Sequence, residues 1–146
     1  MQYKKLLKVN RIDRNGETPL YVACSKGYIK CITILLGAPY IDVNKQKFDG
    51  KTPLFAAAEN GKENAIKVLL SHRSISMIIQ DINLCTSVHI AAQKGNENVI
   101  RALLINQTFD PNIRDIKGVL FMFYRSVFES TTNPKTVSLL HSLLGV

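Results

Sequence analysis

Long apolar runs are missing from this chain of 146 residues. The longest, Val119 to Tyr124, falls far short of the roughly 20 residues a membrane-spanning helix needs. No export leader is expected either. After Lys4 and Lys5 the apolar stretch is only Leu6-Leu7, much shorter than the apolar core of a leader. Cysteine is scarce, with Cys24, Cys31 and Cys85 alone. An odd, sparse set argues against a disulfide framework and for a reducing compartment, so cytoplasm or nucleus is expected. There is no C-x-x-C pair, and a zinc site needs about four ligands at close spacing; neither metal nor cofactor is expected. Acidic residues are outnumbered, 11 against 19 basic ones, which leaves a charge of +8. That balance favours acidic partners without naming nucleic acid. Lys4, Lys5, Lys8, Arg11 and Arg14 crowd the start against Asp13 alone.

What the chain has in quantity is apolar residues, 46% of the total, enough for a real core in a single domain. It also repeats itself. Thr18, Thr52 and Thr86 are 34 residues apart, and the same step links Leu20, Leu54 and Val88. It links Ala23, Ala57 and Ala91, then Gly27, Gly61 and Gly95, then Leu35, Leu69 and Leu103. Asn10, Asn44 and Asn112 keep it with Ile78 in the missing slot.

Each column has a physical reason. In Thr18-Pro19 and Thr52-Pro53 the hydroxyl caps a helix and proline takes the first helical position, where its missing N–H costs nothing. A short helix with small residues such as Ala23 and Cys24 lets a neighbour approach, and Gly27 ends it in a left-handed conformation. A second helix carries Ile29, Ile32, Leu35 and Leu36 as an amphipathic stripe. Asn15-Gly16 and Asp49-Gly50 mark turns. Helices of eight or nine residues do not hold themselves together in water, so the units must stack.

Asp13-Arg14-Asn15-Gly16-Glu17-Thr18-Pro19-Leu20-Tyr21-Val22-Ala23-Cys24-Ser25-Lys26-Gly27, followed by Leu35-Leu36 and Asp42-Val43-Asn44, resembles the ankyrin repeat family. Asp49-Gly50-Lys51-Thr52-Pro53-Leu54 with Ala57-Ala58, and Thr86-Ser87-Val88-His89-Ile90-Ala91-Ala92, resemble it too. The resemblance implies an all-α solenoid of helix-turn-helix pairs joined by β-hairpin-like loops. Three regular repeats are expected at 13–46, 47–80 and 81–114, with a degenerate capping repeat at 115–146 and a stub helix and linker at 1–12. Leu84 replaces the turn glycine, which puts a side chain at a positive φ. Ser87 replaces proline, and Tyr21 and Phe55 stand where His89 keeps the family histidine. The final repeat keeps Asp115 and Lys117-Gly118, but its Leu143-Leu144 arrives six residues late. The insertion is placed in a loop from Ser130 to Thr136. Val9-Asn10 matches the end of a repeat, so the start is read either as a stub or as a cut from a larger protein.

Catalytic readings are weak. Cys85 and His89, four apart, suggest a thiol–imidazole pair, but His89 also fills the family's helix-start slot beside Thr86, and no third group orients the ring. Cys24 and Cys31 are read as small apolar core residues. Gly50-Lys51-Thr52 imitates a phosphate loop, but Lys45 stands where that loop needs glycine.

Binding is the expected function: the family holds partner proteins by its hairpin tips and the concave face of its first helices. The tip positions are Arg14, Asn15 and Glu17; Phe48, Asp49 and Lys51; Ile82, Asn83 and Cys85; Ile116, Lys117 and Val119. The inner-helix positions are Ser25, Lys26, Glu59, Asn60, Gln93 and Lys94. Phe48, Ile82 and Ile116 share one register. Either they form an exposed apolar stripe at the centre of an interface, rimmed by Arg14, Lys47, Lys51 and Lys117, or they pack within the stack. The expected partner is another protein, with no small-molecule substrate and no membrane insertion. Lys4 and Lys8, one helical turn apart, suggest an anionic surface or nucleic acid as an alternative. Tyr3 alone does not supply the stacking aromatics that nucleic acid calls for. The apolar run at 119–124 exceeds what one helix face buries. The inserted loop or a partner must cover the excess, and self-association through this end is a second expectation.

Overall fold

The computed structural model describes residues 8–104, together with Pro134 and Ser138. Within 8–104 there are six helices and no strand, in three pairs: α1 (Pro19–Lys26) with α2 (Ile29–Leu36), α3 (Pro53–Glu59) with α4 (Glu63–Leu70), and α5 (Ser87–Gln93) with α6 (Glu97–Leu104). Residues 1–7 of the expected stub helix and linker at 1–12, and almost all of the capping repeat, lie outside the described residues. Pro134, in the segment read as a loop, is helical.

The first helix of each pair starts the same way. The hydroxyls of Thr18, Thr52 and Thr86 accept the backbone N–H of Tyr21, Phe55 and His89 at 3.1, 3.2 and 3.4 Å. Pro19 and Pro53 sit at the first helical turn as expected. The ends also match. The N–H of Tyr28, Lys62 and Asn96 returns to the carbonyl of Ala23, Ala57 and Ala91 at 2.9, 2.8 and 3.2 Å, so each helix reverses tightly into its partner.

Two layers follow from this geometry. α1, α3 and α5 pack side by side as one layer, and α2, α4 and α6 as the other. Ile32, Ile66 and Ile100 are fully buried at successive levels, as are Leu20 and Leu54, with Val88 continuing their column. Leu35, Leu69 and Leu103 join the same core, with Leu35 only half-buried. Each fully buried Leu or Ile contributes about 1.5–3 kcal/mol by leaving water.

The asparagine column pins one repeat to the next. Asn10 donates from Nδ2 to the Tyr40 carbonyl at 2.7 Å and accepts the Asp42 N–H at 2.8 Å. Asn44, one repeat later, does the same with Ser74 at 2.7 Å and Ser76 at 2.9 Å. One side-chain amide thus satisfies a carbonyl and an N–H of the next loop.

One expectation fails. Cys24 is buried, but Cys31 is exposed. Its column mates Ala65 and Val99 are fully buried. Cys31 faces the leading side of the first pair, where no preceding pair among the described residues covers it.

Candidate protein-binding surface

The three loops before α1, α3 and α5 are closed by one pattern. Asp13, Lys47 and Asp81 donate their N–H to the carbonyls of Glu17, Lys51 and Cys85 at 3.0, 3.0 and 2.9 Å. A second bond, spanning fewer residues, runs from the N–H of Gly16, Gly50 and Leu84 to the carbonyls of Asp13, Lys47 and Asp81 at 3.0, 2.9 and 3.0 Å. Closing both bonds at once needs a left-handed residue after the turn, and φ is 78° at Gly16, 83° at Gly50 and 62° at Leu84. Leu84 holds that conformation against its own Cβ, at a cost of about 1–2 kcal/mol.

Side chains brace the tips. Asp13 Oδ1 accepts the N–H groups of Asn15 and Glu17, both at 2.9 Å. Asp81 Oδ1 does so for Asn83 at 2.9 Å and Cys85 at 3.0 Å. Gln46 Nε2 donates to the Gly50 carbonyl at 2.8 Å and to the Gln80 carbonyl at 3.1 Å. The Ile82 N–H donates to the Asp49 carbonyl at 3.0 Å, joining the second tip to the third. Their approach is close: a Cβ on Gly50 would lie 2.9 Å from Asp81 Cα.

Phe48 and Ile82 stand outside this frame, 72% and 70% exposed. Phe48 lays its ring against Gly16, so the stripe touches the stack at one end while most of its surface faces solvent. Leu84 adds a third apolar side chain, 67% exposed. The sequence had marked it only as a backbone oddity. Ile116, Lys117 and Val119, the fourth-copy members of the expected surface, lie outside the described residues.

Two members of the expected charged rim, Lys47 and Lys51, are engaged within the chain. Lys47 Nζ sits 5.3 Å above the Tyr21 ring, 3.5 Å from Glu17 and 3.7 Å from Asp49. Lys51 Nζ sits 5.3 Å above the Phe55 ring, 3.0 Å from Glu59 and 4.0 Å from Asp49. Each cation–ring contact contributes about 0.5–1 kcal/mol. Burial raises the Tyr21 hydroxyl above its ordinary range, helped by Asp49, Glu59 and Glu17. Arg14, by contrast, is exposed and has no ion-pair partner among the described residues. Along the inner helices Lys26, Asn60, Gln93 and Lys94 are exposed, while Ser25 and Glu59 are half-buried. Asn60 Nδ2 reaches Ser25 Oγ at 3.4 Å and the Ala56 carbonyl at 2.8 Å.

The Cys85–His89 pair is not arranged for catalysis. His89 Nδ1 accepts the Thr86 N–H at 3.2 Å and lies 2.7 Å from the Thr86 hydroxyl, closing a cap at the start of α5. The Cys85 sulfur points at the Asn83 carbonyl, 3.7 Å away. Burial, with Asp81 beside it, pushes that thiol up, although a hydrogen bond with Gln93 pulls the other way. A raised thiol is a poor nucleophile. Burial holds Cys24 higher still, at about 12. Among the described residues no cluster of His, Cys, Asp and Glu is arranged to hold a metal, and no helix is long and apolar enough to cross a membrane.

A family profile for ankyrin repeats (3 copies) matches residues 40–115, more than half of the chain, and one for a single ankyrin repeat matches residues 15–47. The chain belongs to the ankyrin repeat family. Ankyrin repeats are generally protein–protein interaction modules, and the family is typically a non-catalytic scaffold. No curated protein matches the sequence.

Proposed function

We propose that this ankyrin repeat chain binds a partner protein through its hairpin tips and the concave face of α1, α3 and α5, and catalyses no reaction. The observation that carries this reading is the pair Phe48 and Ile82. Two large apolar side chains occupy the same tip position of successive repeats, both mostly exposed, on loops cross-bonded to each other. A contiguous exposed apolar patch on a rigid frame marks a binding surface. Because the frame is ordered before the partner arrives, little entropy is lost on binding.

Ile116 continues the register in the sequence and is assigned to the same surface, with Lys117 and Val119 beside it. Lys47 and Lys51 serve the frame rather than the rim, since both are already neutralised; among the described rim residues Arg14 is left to meet an acidic group on the partner. Three free cysteines agree with a protein kept reduced in cytoplasm or nucleus.

The test is Phe48→Ser with Ile82→Ser, assayed for affinity to a partner isolated on the immobilised wild-type chain and for melting temperature. The expected result is an affinity loss of about tenfold or more, a hot-spot effect, with melting nearly unchanged. Undiminished affinity would sink the reading, and a collapse in melting temperature would assign the two side chains to the fold.

A further inference from the structure

The leading side of the first described pair carries a second surface, which meets the first tip at Arg14 and is otherwise distinct from Phe48 and Ile82. In the second and third pairs the positions that face backwards are covered by the pair before. Pro53 and Ser87 are buried, as are Ala65 and Val99, and Leu69 and Leu103. The same columns in the first pair are Pro19, Cys31 and Leu35, and they are exposed, exposed and half-buried. Together with Tyr28 and Ile34, the latter 75% exposed, they line a groove of about 970 Å³. A face whose copies further along each receive a neighbouring helix is shaped to receive one here.

The charge of the groove says what kind of helix. Lys8, Arg11 and Arg14 line it, all three exposed and without an ion-pair partner among the described residues. Asp13 and Glu17 also reach it but are occupied. Asp13 Oδ1 holds two N–H groups of its own hairpin, and Glu17 faces Lys47 at 3.5 Å. Three cations without ion pairs, opposed by the single unpaired carboxylate of Asp13, leave the edge of the apolar trough net positive and call for a ligand with an apolar stripe and an acidic flank. We propose that this groove seats an amphipathic, acidic helix of a partner protein, its apolar stripe on Tyr28, Ile34 and Leu35 and its carboxylates on Lys8, Arg11 and Arg14. A mainly apolar lining with cations along one edge suits this ligand better than a phosphate backbone.

Cys31 is a built-in reporter, since it lies in the groove and its thiol is exposed. The probe is a synthetic helix of roughly 16 residues, about 24 Å long, with leucines on one stripe and glutamates beside them. Cys31 alkylation by iodoacetamide is followed by mass spectrometry, with Cys85 in the same chain as internal control. The expected result is saturable, several-fold slowing at Cys31 only, weakening with added salt. Ile34→Ser should abolish it, and so should Arg11→Ser with Arg14→Ser; all three side chains are exposed, so these variants keep their fold by circular dichroism. Phe48→Ser with Ile82→Ser should leave the protection intact, which separates this surface from the tips. The proposal is overturned by equal protection from a lysine-flanked helix, or by no protection up to about 1 mM peptide, the weak limit of specific binding. Protection by oligothymidylate but not by the peptide overturns it too, as does protection that grows with the chain's own concentration alone.

Discussion

The first helix pair and the second have nearly the same sequence plan and different surroundings. Thr18 and Thr52 cap alike, and Pro19 and Pro53 follow them. Yet Leu35 is half-buried where Leu69 is fully buried, and Cys31 is exposed where Ala65 is covered. In a stack of short helices burial is therefore conferred by the neighbour and not by the residue. Equivalent positions stabilise the fold in the second and third pairs and form surface on the leading side of the first, among the described residues.

The strongest way to break this comparison is one substitution at both levels. Leu69→Ala is expected to lower stability by about 2–5 kcal/mol, the usual range for a buried leucine. Leu35→Ala should cost less than half as much. Urea denaturation of the two variants measures the contrast, and equal costs would contradict it.

A second contrast sits in the turn column. Gly50→Ala forces a Cβ at φ 83° to within 2.9 Å of Asp81 Cα, and is expected to cost about 1–3 kcal/mol. Leu84→Gly, at φ 62° in the next repeat, should instead gain about 0.5–1 kcal/mol. Relief of left-handed strain there exceeds the extra freedom glycine has when unfolded. Thermal melts of both variants show whether the signs are opposite, as expected.

The smallest effect sharpens the comparison of caps. In the third pair His89 accepts the Thr86 N–H, while Tyr21 and Phe55 have no ring nitrogen to do so. Burial lowers the His89 pKa below its ordinary 6.5, with Asp81 opposing. The folded state thus prefers neutral histidine. Its contribution is complete above 6.5 and is lost as pH falls through the lower folded value. Melting temperature measured from pH 7.5 down to 5 should fall more steeply in the wild type than in His89→Gln. Parallel curves would remove His89 from the account.

Much of this architecture was legible in the sequence. The 34-residue step placed the threonine caps, the alanines facing the reversal and the isoleucine and leucine levels of the core, because each column repeats one backbone requirement. It also placed Phe48 and Ile82 on the tips. What it did not yield are properties that depend on a second chain segment. Lys47 and Lys51 read as rim charges until their reach across to Tyr21 and Phe55 is seen, since a rotamer decides it. Cys31 has the periodicity of a core residue, and periodicity names a face without naming what covers it. The asparagine column was visible as a recurrence, but its partners, the loop residues 40 and 42 and then 74 and 76, share no side-chain signature. Leu84 in a glycine column signals a positive φ but not the apolar surface that it adds on the tip of Ile82.

The claim that neighbours confer stability is tested most directly by residue-resolved amide hydrogen exchange across the four helices of the first two pairs. Amides of α3 and α4, covered on their leading side by α1 and α2, should exchange slowest, with those of α1 and α2 opening at distinctly lower free energy. Protection in α1 and α2 equal to that in α3 and α4 would show that a pair stands without a neighbour before it, and would contradict the account.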